Sequence, residues 1–431
     1  MSPAPLGTDG DGWVRLHPLT PLLRGGRFAV VLLAFVGQAG VRNAEDRSQA
    51  VALLFGIGVP LAVLYGYVAW RAMRYRVTAT ELQVESGVLT RRSRRVPLAR
   101  VQAVDVVRPL YARVLGLAEL RLEVVGGGDA EAPLAFLSDE DAARLRTRLL
   151  DLSAGRSVDD APAPAVPERV LVAVPTGVLV ASTLLGPPAV TAVALLLVVL
   201  VTAAVDVQAA GGVVLGAVPL LLGVGSFAVR RLMSEYGFTV AESPDGLRLR
   251  HGLLDTRSQT IPAGRIQVIR ILRPLLWRPF GWVRVEVDVA GYSGGGEQQA
   301  ATGALLPVAP RELADRLVAR VLGSELPLAD RPAPRAARWR APLSARRLSV
   351  GLDGAHLVST YGVLTTTTDV VPLAKVQSLR VTQGPWQRAL GLSSLHADTA
   401  GRRLPGAVAP HRRDTAALLD EARALARAAR R

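Results

Sequence analysis

The sequence predicts a mixed architecture in which α-helical transmembrane hairpins alternate with three β-rich (α+β) units, each a set of antiparallel strands closed by a C-terminal helix. Three observations lead there. The apolar residues are gathered into two blocks, a spaced motif recurs three times in the polar remainder, and inside each recurrence the apolar period passes from that of a strand to that of a helix. The 431 residues are 50% hydrophobic and the mean hydropathy is +0.29, which excludes an intrinsically disordered chain. No cysteine is present, so disulfides, thiolate nucleophiles and Cys-based zinc sites are excluded. The formal charge of +15 comes from 51 Lys+Arg against 36 Asp+Glu, and Lys375 is the only lysine.

The first apolar block gives a hairpin. Residues 25–41 are apolar after Arg27, residues 50–70 carry no charge, and a polar turn from Arg42 to Gln49 joins them. The second of these runs is long enough to cross a bilayer and the first is near the lower limit. A cleaved leader is the weaker reading, because Asp9 and Asp11 precede the run and another apolar run follows at once. The second block occupies 170–231. Its runs 189–205 and 211–229 are read as the spanning pair, and 170–186, interrupted by Pro175 and Pro187, as an interfacial lead-in. Arg24, Arg27, Arg71, Arg74, Arg76, Arg230 and Arg231 flank the hairpins, while the turns are charge-balanced or acidic. Basic residues favour the cytoplasmic side, so a multi-pass inner-membrane protein is expected, with its termini and polar units in the cytoplasm. The spans 50–70, 189–205 and 211–229 hold no ionisable side chain, which argues against transport.

The recurring motif reads Gly87, Pro97, Gln102, Arg113, Gly116 in the first copy, Gly252, Pro262, Gln267, Arg278, Gly281 in the second, and Gly362, Pro372, Gln377, Arg388, Gly391 in the third, with identical spacings. Alternation in Leu82-Gln83-Val84-Glu85, in Val101 to Val106 and in Leu120 to Val124 predicts strands. Ser138 with Asp141 predicts a capped helix whose stripe is Leu145, Leu149 and Leu150. Helices from Pro310 and from about Asp414 to Ala429 close the other two copies. The resulting domains are 1–74 (N-terminal segment and first hairpin), 75–152, linker 153–169, 170–231 (second hairpin), 232–324, linker 325–342, and 343–431.

Gly-Val/Leu-Leu, Pro-x-x-Arg/Lys-Val/Ile-Gln, Arg-x-x-Gly and the opening segment from Arg15 to Leu22 are the residues of a resemblance. A unit of this kind beside a pair of spans resembles the bacterial pleckstrin-homology-like (PH-like) domain of the YdbS-like membrane protein family, here in a multi-domain form. The resemblance implies a bent antiparallel sheet or barrel capped by a C-terminal helix, anchored at the cytoplasmic membrane and without enzymatic activity. The third unit departs from the pattern, since an Arg- and Pro-rich segment rather than a membrane pair leads to Leu348.

The triplicated Gln102, Gln267, Gln377, Arg113, Arg278 and Arg388 read as structural markers, each tying a loop to a strand inside its own unit, because a specialised site rarely persists in every copy of a repeat. The run Arg91, Arg92, Arg94, Arg95 is the candidate contact for anionic phospholipid, with a solvated hairpin tip as the plainer reading. Catalytic, cofactor and metal sites are not expected. His17, His251, His356, His396 and His411 are scattered, and Asp139, Glu140 and Asp141 sit in the first turn of a helix, where negative charge suits the dipole. The expected function is non-enzymatic binding or scaffolding at the membrane, with a protein partner such as another PH-like membrane protein, or with anionic lipid. The alternative is a subunit of a transport, envelope-stress or antimicrobial-resistance system. Nucleic acid is not an expected partner, because the basic run has no interleaved aromatics.

Overall fold

Antiparallel sheets dominate the computed structural model, which describes residues 8–9, 13–15, 71–87, 92–124, 132–153, 169–243, 246–262, 264–289, 303–326, 328–401, 404 and 406–430, with isolated positions between 56 and 68. Of the expected first hairpin only those isolated positions are described, and Pro60, Leu64, Tyr67 and Val68 are helical. The chain divides into two compact units, residues 1–165 with 255–259, and residues 166–254 with 260–431.

In the first unit β1 (Thr8–Asp9), β2 (Trp13–Arg15), β3 (Arg74–Val77), β4 (Glu81–Ser86) and β5 (Arg92–Pro97) pair in order. After them come β6 (Val101–Pro109), the short helix α1 (Leu110–Val114), β7 (Leu117–Val124), β8 (Ala132–Ser138) and α2 (Asp139–Ser153). The alternation seen in the sequence buries Leu82, Val104, Leu120 and Leu122 against Leu145 and Leu149 of α2. Ser138 and Asp141 form the expected cap, with Asp141 N donating to Ser138 Oγ at 3.1 Å. Residues 255–259 join this unit as a strand on β6, with Asp255 opposite Pro109 and Ser258 opposite Val106.

The second unit starts with β9 (Arg169–Ala173), followed by α3 (Thr176–Leu184), α4 (Pro187–Val205) and α5 (Val207–Glu235). Next come β10 (Thr239–Ser243), β11 (Gly246–His251), β12 (Asp255–Ile261, of which 255–259 belong to the first unit), β13 (Ile266–Pro274), β14 (Trp282–Val289), β15 (Ala304–Pro310) and α6 (Arg311–Leu322). The remainder is β16 (Arg331–Pro332), α7 (Ala337–Arg340), β17 (Ser349–Leu352), β18 (His356–Tyr361), β19 (Thr365–Pro372), β20 (Val376–Thr382), α8 (Pro385–Ala389), β21 (Ser393–Thr399), β22 (Ala407–Arg412) and α9 (Thr415–Ala428). One sheet runs β15-β14-β13-β19-β18-β17-β16, so strands of the second and third repeats share it, and β20-β21-β22 form a separate sheet. Apolar packing crosses that seam as well. Val358 and Val370 of the third repeat lie in the second repeat's core, and Val268 lies in the third's.

Two expectations change. The sequence-based domain starts at 75, 232 and 343 miss the first strand of each repeat, which lies ahead of the helical segment: β2 pairs with β3, β9 with β10, and β16 with β17. The helices are therefore insertions between the first two strands, and in the third repeat α7 takes that place. The lead-in expected over 170–186 is instead β9 followed by α3, whose Leu179, Ser182 and Thr183 are buried in the second repeat.

The marker glycines recur because the backbone needs them. Gly87, Gly252 and Gly362 have φ of 108°, 107° and 98°, and Gly116, Gly281 and Gly391 have 66°, 66° and 61°. A Cβ on Gly362 would stand 2.1 Å from the Thr365 carbonyl oxygen. Gly362→Ala is expected to destabilise the second unit by about 1–3 kcal/mol. Gly354→Ala, where a Cβ meets nothing within 4 Å, is expected to leave the unfolding temperature of the detergent-solubilised protein in place.

Candidate functional site

The β13–β19 seam is the most strongly built polar site in the second unit. Six residue pairs run from Ile269 opposite Val370 to Pro274 opposite Thr365. At its centre Arg270 donates to both carboxylate oxygens of fully buried Asp369, from Nε at 2.6 Å and from Nη2 at 3.0 Å. Tyr361 Oη also donates to Asp369, at 2.8 Å. Burial and the adjacent Asp369 carboxylate both raise the Tyr361 phenol above its ordinary value, so it stays a donor. An ion pair this buried adds little net stability, but losing one partner strands a charge, so it fixes which strands pair and in what register.

The marker arginines belong to such seams. Arg278 Nη2 donates to the Val363 carbonyl and to Thr366 Oγ1, at 2.6 and 3.0 Å, and Arg113 Nη1 donates to Thr256 Oγ1 at 3.0 Å. Thr256 and Thr366 each lie four residues after a marker glycine. The expectation that these arginines serve loops of their own unit is thereby corrected: each holds the hairpin strand of the next repeat. The earlier reading failed because the partners are 143 and 88 residues away in sequence. Arg388 of the last copy is exposed, and its side chain makes no hydrogen bond or ion pair among the described residues. Of the glutamines, Gln267 is buried and donates to the Arg265 carbonyl within its own turn, Gln377 is exposed, and the Gln102 side chain lies outside the described residues. Pro97 and Pro372 open the same short turn in the first and third copies, at φ −61° and −62°, and Pro262 accepts the corresponding bond from Arg265 N.

A second cluster roots the apolar helices. At the C-terminal end of α5, Glu235 is buried and accepts from Arg231 Nε at 3.0 Å and from Arg284 Nη1 of β14 at 2.6 Å. The Arg231 guanidinium lies 5.5 Å from the Trp277 ring centroid. Trp277, itself buried, donates from its indole to the Ser182 carbonyl of α3 at 3.0 Å. Above this base α4 and α5 expose Val193, Leu196, Leu200, Leu215 and Leu222. Two helical stretches, 176–205 and 211–235, are long and apolar enough to cross a membrane.

Residues 92–97 form β5, so Arg92, Arg94 and Arg95 lie on a strand; Arg94 and Arg95 are exposed and point to opposite faces of it. Arg91 and the Arg92 side chain lie outside the described residues. Asp139 pairs with Arg108 at 2.6 Å and Glu140 with Arg144, which gives those carboxylates structural partners. His396 contacts Thr382 and His411 contacts Gln387, each at 2.9 Å, and burial lowers both imidazoles below their ordinary value. Among the described residues no group of three or more His, Cys, Asp or Glu side chains is placed to hold a metal ion.

Repeated sheet units, each with a helical segment inserted behind its first strand and a helix at its end, define a protein of PH-like modules. The bacterial PH domain family model matches residues 28–153, 176–325 and 328–429, and the chain belongs to that family. Over 288 residues it is 24% identical to the UPF0699 transmembrane protein YdbT of Bacillus subtilis (strain 168), covering 60% of this chain and 57% of the relative. The chain thus spans a little over half the length of that curated relative. No solved structure matches.

Asp369→Ala is expected to cost about 3 kcal/mol by leaving the part-buried Arg270 without its carboxylate. The double variant Arg270→Met with Asp369→Leu is expected to recover much of that loss. Thermal unfolding of the two purified variants checks it.

Proposed function

We propose that the chain is a non-enzymatic, membrane-anchored scaffold, whose PH-like modules sit on one face of the inner membrane and engage a protein partner or anionic lipid. The coarser part rests on family membership and on the apolar exterior of α4 and α5. The finer part rests on one observation about connectivity. Ala173 at the end of β9 is paired with Thr239 at the start of β10, so the chain leaves and returns at neighbouring points. Only an even number of crossings permits that, and α4 with α5 supplies two. The same argument applies to the first repeat, where Arg15 is paired with Arg74 across the segment holding the runs 25–41 and 50–70. Leu275 and Phe280, 46% and 53% exposed, lie on the turn that carries Trp277 and suit an interfacial seat beside the helix base. The Bacillus relative is named a transmembrane protein, which agrees with this reading.

The protein is expected to stay with membranes through alkaline carbonate and to be released by detergent. Because the chain has no cysteine, single substitutions report topology cleanly. Gln208→Cys in the α4–α5 turn should react with a membrane-impermeant maleimide added outside intact cells, and Arg250→Cys should react only after lysis. Labelling of both from outside, or release by carbonate, would sink the proposal.

The arginine run is proposed to enrich anionic lipid around the protein, each residue contributing about 1 kcal/mol near the surface. Replacing Arg91, Arg92, Arg94 and Arg95 with Gln should lower the share of phosphatidylglycerol that copurifies from mixed phosphatidylglycerol and phosphatidylcholine micelles. An unchanged share contradicts it.

A further inference from the structure

The two seams inside the chain have one design. In the first, Pro109, Arg108, Val107 and Val106 of β6 face Asp255, Thr256, Arg257 and Ser258. In the second, Pro274, Arg273, Leu272 and Ile271 of β13 face Thr365, Thr366, Thr367 and Thr368. Counted from the marker residues, the register is the same in both. Opposite charges meet at the centre of the second, where Arg270 of β13 pairs with Asp369; at the same offsets the first carries Asp105 and Gln259. A marker arginine, Arg113 or Arg278, then bonds the threonine of the incoming strand.

The third repeat carries the same donor side with no incoming strand among the described residues. β20 is the end strand of its sheet and is bonded only to β21 among the described strands. Where β13 is largely buried, Gln377, Ser378, Arg380 and Val381 of β20 are exposed. Arg380 occupies the position of Arg270. It is 58% exposed and reaches Asp398 only at 3.5 Å, against 2.6 Å in the completed seam. Arg388 stands exposed at the position of the clamp.

We propose that the free edge of β20 takes an antiparallel strand from a PH-like repeat of a different chain. That strand would bear Asp or Glu seven residues after its turn glycine, opposite Arg380, and Thr or Ser four residues after it, in reach of Arg388. A second copy of this chain is the wrong occupant. Among the described strands its other edge hairpin strand is β5, which carries Arg94 seven residues after Gly87 and would place like charges opposite each other. Continuity with the two seams, together with the charge at one position, selects the partner. This inference deepens the scaffold reading and rests on it.

The test uses the full-length protein in nanodiscs, carrying Thr382→Cys as its only cysteine. The probe is a synthetic peptide of residues 361–373, the strand that completes the second seam, with Thr367→Cys; Thr367 pairs with Leu272, which occupies the position of Thr382. A disulfide is expected with this peptide and not with one carrying Thr366→Cys. Arg380→Asp should lower the initial cross-linking rate roughly tenfold, and a peptide with Asp369→Arg should restore it. Cross-linking no faster than with a scrambled peptide, or indifferent to Arg380, overturns the proposal. Covalent oligomers from a chain bearing both Arg92→Cys and Thr382→Cys would overturn the choice of partner. Carbonate extraction of the same variants is read in parallel, so a failed cross-link in a membrane-embedded protein counts against the seam alone.

Discussion

The backbone groups along a sheet edge must be bonded before the strand can be buried, and this chain meets that requirement by pairing repeats with one another. β13 is buried because β19 completes it, and β19 is held in register because Asp369 has to reach Arg270. A shift of one residue would turn every side chain of the strand to the other face and leave the Asp369 carboxylate without its guanidinium. The apolar cores follow from the same pairing: Val358 and Val370 complete one and Val268 the other. The second and third repeats are therefore not independent bodies joined by a linker. The same kind of seam explains why an arginine stands at one fixed offset in the first two copies, since each reaches forward to the repeat that follows.

The placement of the helices has a related cause. A segment inserted between two adjacent antiparallel strands has its ends held about 5 Å apart by the ladder, whatever its length. In the second repeat that insertion is 65 residues from Val174 to Phe238 and holds two long apolar helices; in the third it holds the four-residue helix α7. The third repeat secures its own first strand by charge instead. Arg331 of β16 forms a two-pronged pair with Glu421 of α9 at 2.6 and 2.8 Å, and Arg412 donates to the Arg331 and Pro332 carbonyls. The Arg331 bonds hold the Glu421 carboxyl below its ordinary value. A pair of long apolar helices is thus an optional filling of a fixed slot in the sheet.

What could be read from the sequence was what is local. Alternation in β4, β6 and β7 and the cap at Ser138 depend on neighbours a few residues away, and the positive φ at Gly87, Gly252 and Gly362 is demanded by a turn. What escaped was either too short or too distant. β2 and β16 have three and two residues, too few to show a period. Val170–Leu185 is apolar enough to pass for a membrane segment because α3 spends its apolar side chains on the core around Leu179. The partner of Arg278 lies in another repeat, and only the identical offset of Thr256 and Thr366 from their glycines could have pointed to it. The basic run was visible as charge, but its alternation across a strand was hidden by the surrounding arginines.

The two strand edges left unpaired among the described repeats need not be alike. A finished end would replace the apolar residues of its outer strand with polar ones. β20 has not done so, since it keeps Leu379 and Val381 where β13 has Ile269 and Ile271, with Val381 42% exposed. It also keeps the clamp arginine, for which its own repeat has no use. What has changed is the sign of charge available to complete the seam: Arg380 on one free edge, Arg94 on the other. Had either been a carboxylate, copies of the chain would pair head to tail without limit. Positive charge at both edges disfavours pairing between copies while leaving β20 open to a strand of opposite charge, so the excess of arginine noted in the composition acts, at these two positions, as a rule about which strands can join.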